Sequence, residues 1–229
     1  MTNRITISFS GGKDCTLGLY RILQSNNWEV DSLLTTITEG YHRTSIHGVR
    51  EVLLEQQAKS LGIPLRKVFI PKNCSIKEYE KIMKDANRKL MEDGVTHIMF
   101  GDIHLKDIKE YRENSLKDTS LQPVFPLWNE NPYDLIEEFL QLGFQAVLSC
   151  VDSTQLDPSF VGKKLNQTFL TELPANVDPC GENGEFHTFV YNGPLFRESI
   201  PFTISAEKTI TKDVYTKEDR FHFVDLLPN

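Results

Sequence analysis

The sequence predicts an α/β fold in which a doubly wound parallel sheet is followed by a small second domain. Three observations favour this class. Apolar runs rich in β-branched residues alternate with helical apolar patterns between residues 4 and 151. A glycine-rich turn joins the first predicted strand directly to the first predicted helix. Beyond residue 151 the alternation becomes irregular, so we expect one domain over residues 1–151 and another over 152–229.

The first domain is predicted to contain six strands and five helices. The strands are expected at 4–9, 30–37, 65–70, 95–100, 121–128 and 144–151. The helices are expected at 13–25, 49–61, 75–92, 104–117 and 132–142. Gly62 and Pro64 end the second helix, and two prolines make the fifth strand short or place it at an edge. The many Lys and Glu residues of the third helix predict a solvated face without a binding site.

The second domain is predicted to begin with a helix at 159–172 and to end in short strands. These strands are expected at 187–193, 202–210 and 220–227. A polar loop over 174–186 separates the helix from them. Loops on a rigid scaffold commonly hold binding groups, so this loop is a candidate for function.

Composition excludes several classes of function. Of the 229 residues, 39% are hydrophobic and 25% are charged, which is typical of a soluble globular protein. No apolar run approaches the ~20 residues of a membrane span, and no signal peptide is visible, so a cytoplasmic location without membrane contact is expected. The net charge of −7 and the lack of a Lys/Arg patch argue against a nucleic-acid partner. A homo-oligomer is compatible with this composition.

The cysteines predict neither a metal site nor a disulfide framework. They stand at positions 15, 74, 150 and 180, without a CxxC pair or a zinc-type spacing. Disulfides are rare in a cytosolic chain of this size. Cys150 lies in an apolar strand and is expected to be a small core residue.

The glycine-rich turn has the chemistry of a phosphate cradle. It consists of Ser10, Gly11, Gly12, Lys13, Asp14 and Cys15. Adjacent glycines let the backbone turn sharply and approach a ligand closely. The free N–H groups and the dipole at the start of the following helix favour a bound anion, and Lys13 adds a positive charge. The spacing does not fit a Walker A loop.

This turn resembles the SGGxD[S/C] loop of the ATP pyrophosphatases, the PP-loop enzymes. The resemblance implies that the loop holds the β- and γ-phosphates of ATP, with Mg²⁺ present, while a substrate oxygen attacks the α-phosphorus. The products would be an adenylylated substrate and pyrophosphate. An ordinary glycine turn before a helix is the alternative interpretation.

The predicted topology brings a second loop to the same place. In doubly wound sheets, ligands bind beyond the carboxyl ends of the strands, at the point where the strand order reverses. If the first strand is central and the fourth lies beside it, Gly101 and Asp102 meet the glycine-rich turn there. Thr35 and Thr36 end the second strand and would add polar contacts, or they are simply β-branched strand residues.

The loop after residue 177 is the second candidate segment. Its expected substrate-binding residues are Gly181, Glu182, Asn183, Gly184, Glu185 and His187. Glutamates can bind Mg²⁺, attract a cationic group or orient ammonia. Taken alone, the loop favours the simpler interpretation, a polar turn that carries solvated acids.

Several motifs together resemble the diphthine–ammonia ligase family. They are the glycine-rich loop, GIP at 62–64, LGF at 142–144, LD at 156–157 with FVG at 160–162, and GENGEFHTFVYNGPLF at 181–196. The resemblance implies a Rossmann-like nucleotide domain of the HUP type and a C-terminal substrate domain. It also implies ATP-dependent amidation, in which a carboxylate is adenylylated and ammonia then displaces AMP. No glutaminase domain is visible, so ammonia would be used free or come from a partner.

The chain departs from the family pattern in the later motif. That motif reads close to GEGGEFETF, whereas this chain has Asn183 in place of a glycine and His187 in place of a glutamate. The resemblance therefore implies the nucleotide chemistry more firmly than it implies diphthine as the acceptor.

The sequence leads to one main hypothesis and two alternatives. In the main hypothesis Lys13, Asp14, Glu182 and Glu185 are catalytic, the glycine-rich loop binds ATP together with Thr36, Gly101 and Asp102, and His187 assists on the acceptor side. His47 faces the site or is a surface histidine; the second interpretation is simpler. The alternatives are an RNA-modifying PP-loop enzyme, and a sensor that binds ATP or AMP without turnover.

Overall fold

The computed structural model describes residues 3–44, 47–213 and 216–229. The first half of the chain forms a five-stranded parallel sheet in the order β3-β2-β1-β4-β5. These strands are β1 (Asn3–Ser8), β2 (Trp28–Thr38), β3 (Leu65–Ile70), β4 (His97–Met99) and β5 (Gln122–Val124). The first strand is central and the fourth pairs with it, as the sequence predicted.

Helices alternate with these strands, and local sequence explains where they begin and end. They are α1 (Lys13–Gln24), α2 (Glu51–Leu61), α3 (Ile76–Glu92), α4 (Lys106–Leu116), α5 (Pro132–Gln141) and α6 (Gln167–Glu172). Ser75 and Glu78 form a capping box at the start of α3. Gly62 adopts a left-handed conformation, with φ at 71°, and ends α2.

The second half of the chain forms an antiparallel sheet. Its strands are β6 (Gln145–Asp152), β7 (Lys164–Leu165), β8 (Phe186–Asn192), β9 (Phe202–Lys212) and β10 (Asp219–Pro228). The order is β7-β6-β10-β9, and β8 pairs with β6. The prediction that residues 144–151 continue the parallel alternation is therefore wrong. The edge strand β5 has only three residues and contains a proline, which makes it a poor partner for a sixth strand.

The predicted helix at 159–172 is only partly correct. A short 3₁₀ turn at Pro158–Phe160 is followed by β7, and α6 covers the end of the range. Gly162 has a φ of 85°, a value that interrupts a helix at that position.

One hydrophobic core runs through both sheets. It includes Ile5 and Ile7 of β1 together with Phe186 and Phe189 of β8, and each of these side chains is almost fully buried. Cys150 is buried in the second sheet, as expected, and all four cysteines are free thiols. The domain boundary expected at residue 151 stays a prediction. None of the described helices is long and apolar enough to cross a bilayer.

Candidate active site

A cavity of about 810 Å³ lies beyond the carboxyl ends of β1, β2 and β4. Its volume is in the usual range for small-molecule sites, roughly 300–1,000 Å³. Most of the residues selected from the sequence line it: Ser10, Gly12, Lys13, Asp14, Cys15, Thr36, Gly101, Asp102, Gly181, Glu182 and His187. Those outside its lining are Gly11, Asn183, Gly184 and Glu185.

The glycine-rich loop opens directly onto the start of α1. Gly12 is the N-cap residue of this helix and has no side chain to cap it, and the Thr188 hydroxyl of β8 instead accepts from the Lys13 N–H. Gly11 has a φ of 82°, a conformation that favours glycine. Gly101 must also lack a side chain, because a Cβ there would lie 2.9 Å from the backbone nitrogen of Cys15. The loops after β1 and β4 therefore touch.

The glycine-rich loop is also joined to β8 of the second sheet. The Val190 N–H donates to the Gly11 carbonyl at 2.9 Å, and the Lys13 N–H donates to the Thr188 hydroxyl at 3.0 Å. The amide of Gln57, which is fully buried in α2, donates to the carbonyls of both Gly11 and Val190. We did not select Gln57 from the sequence, although a glutamine beside the apolar residues of α2 was a usable signal.

Lys13 provides a fixed positive charge beside the loop. Its side chain is buried and pairs with Asp14. Burial by itself would lower the pKa of Lys13, but the negative groups around it, Asp14 foremost, raise this pKa above its ordinary value. Burial raises the pKa of Asp14, although Lys13 opposes this change. The Lys13 ammonium therefore stays charged although it is buried, and it can contact an anion.

Three carboxylates form what we call the acid wall: Asp14, Asp102 and Glu182. Glu182 accepts a hydrogen bond from the Ile103 N–H at 2.8 Å. Burial raises the pKa of Glu182 to about 7, and Asp14 and Asp102 contribute to the same change. Burial also raises the pKa of Asp102. Its buried Oδ2 atom has no hydrogen-bond partner and lies 3.5 Å from Arg112.

The acid wall fits a magnesium ion that is shared with phosphates. Crowded carboxylates with raised pKa values are stabilised by an added cation. Mg²⁺ is usually bound by one or two protein carboxylates together with substrate phosphates. Within the described part of the chain, no group of three or more His, Cys, Asp or Glu side chains is arranged to hold a metal by itself.

Two histidines of the cavity lining form what we call the imidazole wall: His47 and His187. Their ring centroids are 4.5 Å apart. Burial and the charge of Lys13 lower the pKa of His187 to about 4. Burial, His187 and Lys13 lower the pKa of His47 well below its ordinary value. Interpreting His47 as a surface histidine was wrong, because the segment before α2 turns it into the cavity.

Glu185 lies behind the cavity and shapes the loop. It is almost fully buried and accepts hydrogen bonds from the Asp178 N–H at 3.1 Å and the Asn183 amide at 3.0 Å. On the other side of the same loop, Asp178 pairs with His104 at 2.8 Å. These contacts hold the segment that presents Glu182.

The far end of the cavity lies between α3 and α4. Tyr79, Met83 and Asn87 line it from α3, and Tyr111 and Arg112 line it from α4. The sequence predicts no binding site on α3, and this helix nevertheless contributes to the cavity lining. Asn87 was the available signal, since it places a buried amide in the apolar stripe of that helix.

The comparisons with known proteins agree with this architecture. The family model of the diphthamide synthase N-terminal domain matches residues 3–123, and that of the C-terminal domain matches residues 131–219. The diphthine–ammonia ligases of Bos taurus and Homo sapiens are each 28% identical, over 97% of this chain and 91% of theirs. The enzyme of the same name from Schizosaccharomyces pombe is 32% identical over 40% of this chain and 16% of its own.

Among solved structures, the U34-tRNA thiolase NcsA from Methanococcus maripaludis is similar to part of the chain, with a TM-score of 0.39 and 18% identity over 62% of this chain and 58% of that one. The two family models together span nearly all of both sheets, from β1 to the start of β10. The chain therefore belongs to the diphthamide synthase family, and it is a nucleotide-binding ligase of the PP-loop type.

Proposed function

We propose that this enzyme adenylylates a carboxylate with ATP, releases pyrophosphate, and then forms an amide with ammonia. The observation that supports this most is the meeting of three chemically different surfaces in one cavity. The open N-terminus of α1 with Lys13 suits phosphates, the acid wall suits cations, and the imidazole wall carries no charge at neutral pH.

The nucleotide would lie along the cavity with its phosphates on residues 10–15. The backbone at the start of α1 and the Lys13 ammonium would stabilise the negative charge of the leaving pyrophosphate. The ribose and base would then extend past Thr36 towards Asn87 and Arg112, where α3 and α4 provide polar and aromatic contacts.

The chemistry would proceed in two balanced steps. In the first, a carboxylate oxygen of the acceptor attacks the α-phosphorus, and the bond from that phosphorus to the oxygen shared with the β-phosphate breaks. In the second, the ammonia nitrogen attacks the acyl carbon, AMP leaves with the bonding electrons, and the nitrogen loses a proton. Glu182 would accept this proton, since a pKa near 7 lets it exchange protons at neutral pH.

The other acidic residues would have distinct roles. Asp14 and Asp102 would hold Mg²⁺ together with phosphate oxygens, and the ion when bound neutralises phosphate charge. Glu185 would act only by positioning the loop, because it is outside the cavity lining. The relatives named diphthine–ammonia ligase make a diphthine-type carboxylate the first acceptor to test.

The test is to identify the products of ATP. The chain is incubated with ATP, Mg²⁺ and ammonium, with and without a metabolite extract or a diphthine-bearing protein, and the nucleotides are separated by chromatography. We expect AMP and pyrophosphate in amounts that depend on the acceptor. ADP and phosphate as the main products would contradict the proposal, and binding of ATP without turnover under all conditions would favour the sensor.

A further inference from the structure

Gln57 is a polar side chain that is fully buried where the two sheets meet, outside the lining of the cavity. Its amide nitrogen donates to the Gly11 carbonyl at 3.0 Å and to the Val190 carbonyl at 2.5 Å. The amide must face this way, because the reverse orientation would set its oxygen against two carbonyl oxygens. Gln57 therefore joins α2, the glycine-rich loop and β8.

The amide oxygen of Gln57 lies against the same glycine. This Oε1 atom is buried and has no hydrogen-bond partner among the described residues. A Cβ added to Gly11 would lie only 2.6 Å from it, so Gln57 fills the space that a side chain at position 11 would need. Buried polar atoms without a partner are rare in folded proteins and call for an explanation. Both ends of this amide act on one peptide of the loop.

The Gly11 carbonyl sets the direction of the next N–H group. In a trans peptide the carbonyl oxygen and the following N–H point in opposite directions. The Gly11 oxygen is held by two donors, Gln57 and the Val190 N–H, so the Gly12 N–H points away from α2 and β8. There it reaches Ser10 Oγ at 3.4 Å, which is long for a hydrogen bond. Ser10 and Gly12 both line the cavity.

The Gly12 N–H is therefore a donor with spare capacity at the start of α1. The N–H of Lys13, by contrast, already donates to the Thr188 hydroxyl. Two adjacent glycines offer little resistance to rotation of the peptide between them. Without the hydrogen bonds on the Gly11 carbonyl, this peptide could turn and present its oxygen to the cavity, where it would repel an anion.

We propose that Gln57 is a positioning residue, which holds the Gly11–Gly12 peptide so that the Gly12 N–H donates to a phosphate oxygen of ATP. This inference rests on the proposed function, because it takes the phosphates of ATP as the ligand of the glycine-rich loop. Gln57 acts through the loop and touches neither the nucleotide nor the acceptor.

The experiment compares the binding of the two ends of the nucleotide. Pyrophosphate with Mg²⁺ represents the phosphates and adenosine represents the nucleoside, and each is titrated into the full chain by calorimetry. Gln57→Glu keeps the shape of the side chain but sets a carboxylate against two carbonyl oxygens. Gln57→Met keeps the length and removes the donor without adding charge, so it serves where the carboxylate prevents folding. Gln56→Glu is the matched control, one residue along α2 and outside the cavity lining.

We expect the pyrophosphate affinity to fall by at least ~10-fold in Gln57→Glu and by at least ~3-fold in Gln57→Met. The adenosine affinity should stay within ~2-fold of that of the unmodified chain, and Gln56→Glu should keep both affinities. A merely structural role would lower the two affinities together or change neither. Unchanged pyrophosphate affinity in the folded variants, or an equal loss for adenosine, would overturn the inference.

The unmodified chain provides a measurement that does not depend on the folding of a variant. The amide signal of Gly12 in ¹⁵N NMR spectra should shift when pyrophosphate and Mg²⁺ are added, and an unmoved signal contradicts the inference. Failure of the proposed function is recognised separately, from ADP and phosphate as the products of ATP. These binding measurements need no turnover, so the Gly12 signal would still decide the role of Gln57.

Discussion

Glu182 is predicted to reduce the stability of the fold in exchange for its place in the site. Its pKa is about 7 instead of the ordinary 4.5, because burial and two neighbouring carboxylates disfavour its charged form. A group whose pKa is raised by folding contributes stability below its unfolded pKa and loses it as the pH rises to the folded value. Glu182 should therefore weaken the fold progressively between pH 4.5 and about 7.

The size of this effect follows from the same values. A shift of one pKa unit corresponds to about 1.4 kcal/mol of free energy. Between pH 5.5 and the folded pKa of about 7, ionisation of Glu182 therefore lowers the free energy of unfolding by at most about 2 kcal/mol. Because the side chain keeps some contact with water, we expect about 1–2 kcal/mol. Glu182→Gln cannot ionise, so its free energy of unfolding should gain this amount over the unmodified chain between pH 5.5 and pH 8.5.

The assay is urea unfolding of both proteins at the two pH values, with Glu207→Gln on the exposed strand β9 as the control. In parallel, acceptor-dependent AMP formation by Glu182→Gln should fall at least ~10-fold while ATP affinity, measured by calorimetry, changes little. A stability difference that is the same at both pH values would refute the reasoning. Loss of ATP affinity would place Glu182 in the metal–nucleotide site instead.

Two further predictions concern the charged residues Lys13, which is buried, and Asp225, which is half-buried. Lys13→Met keeps the length of the side chain but removes the ammonium, so ATP affinity or turnover should fall at least ~10-fold; unchanged values in ATP titrations would place the phosphate site elsewhere. Hydrogen bonds from Arg50 and Arg43 outweigh burial and hold the pKa of Asp225 below its usual range. Asp225→Asn should therefore cost about 1–2 kcal/mol at pH 7, and the cost should shrink as the pH falls below about 4. Thermal unfolding at pH 7 and pH 3 checks this, and an equal cost at both values would contradict it.

Much of the fold could be predicted because its signals are local. The alternation of strands and helices, and the glycine-rich turn after the first strand, led to the parallel sheet with β1 at its centre. The partner of β6 could not be predicted in this way. An apolar strand buried on both faces looks the same in a parallel and an antiparallel sheet, and its pairing depends on distant strands such as β10, where Phe223 pairs with Cys150.

The candidate site also contains residues that local sequence signals predict and residues whose position depends on distant contacts. Lys13 and Glu182 stand in motifs with recognisable chemistry, and the structure brings both to one cavity. His47 has no motif around it, and its burial depends on contacts with β8 and on the arginines that Asp225 holds. Asn87 was overlooked because charged residues dominate the sequence pattern of α3. Only part of the surface of this helix lines the cavity, and Asn87 belongs to that part.

The junction between the glycine-rich loop and β8 has a consequence for how substrates enter and leave. Enzymes with two lobes often exchange ligands by a hinge that separates them. Here such a motion would pull Val190 away from Gly11 and Thr188 away from Lys13, and so break the hydrogen bonds that hold the glycine-rich loop. We expect the two sheets to move as one body during turnover. Substrates and products would instead enter and leave between α3 and α4.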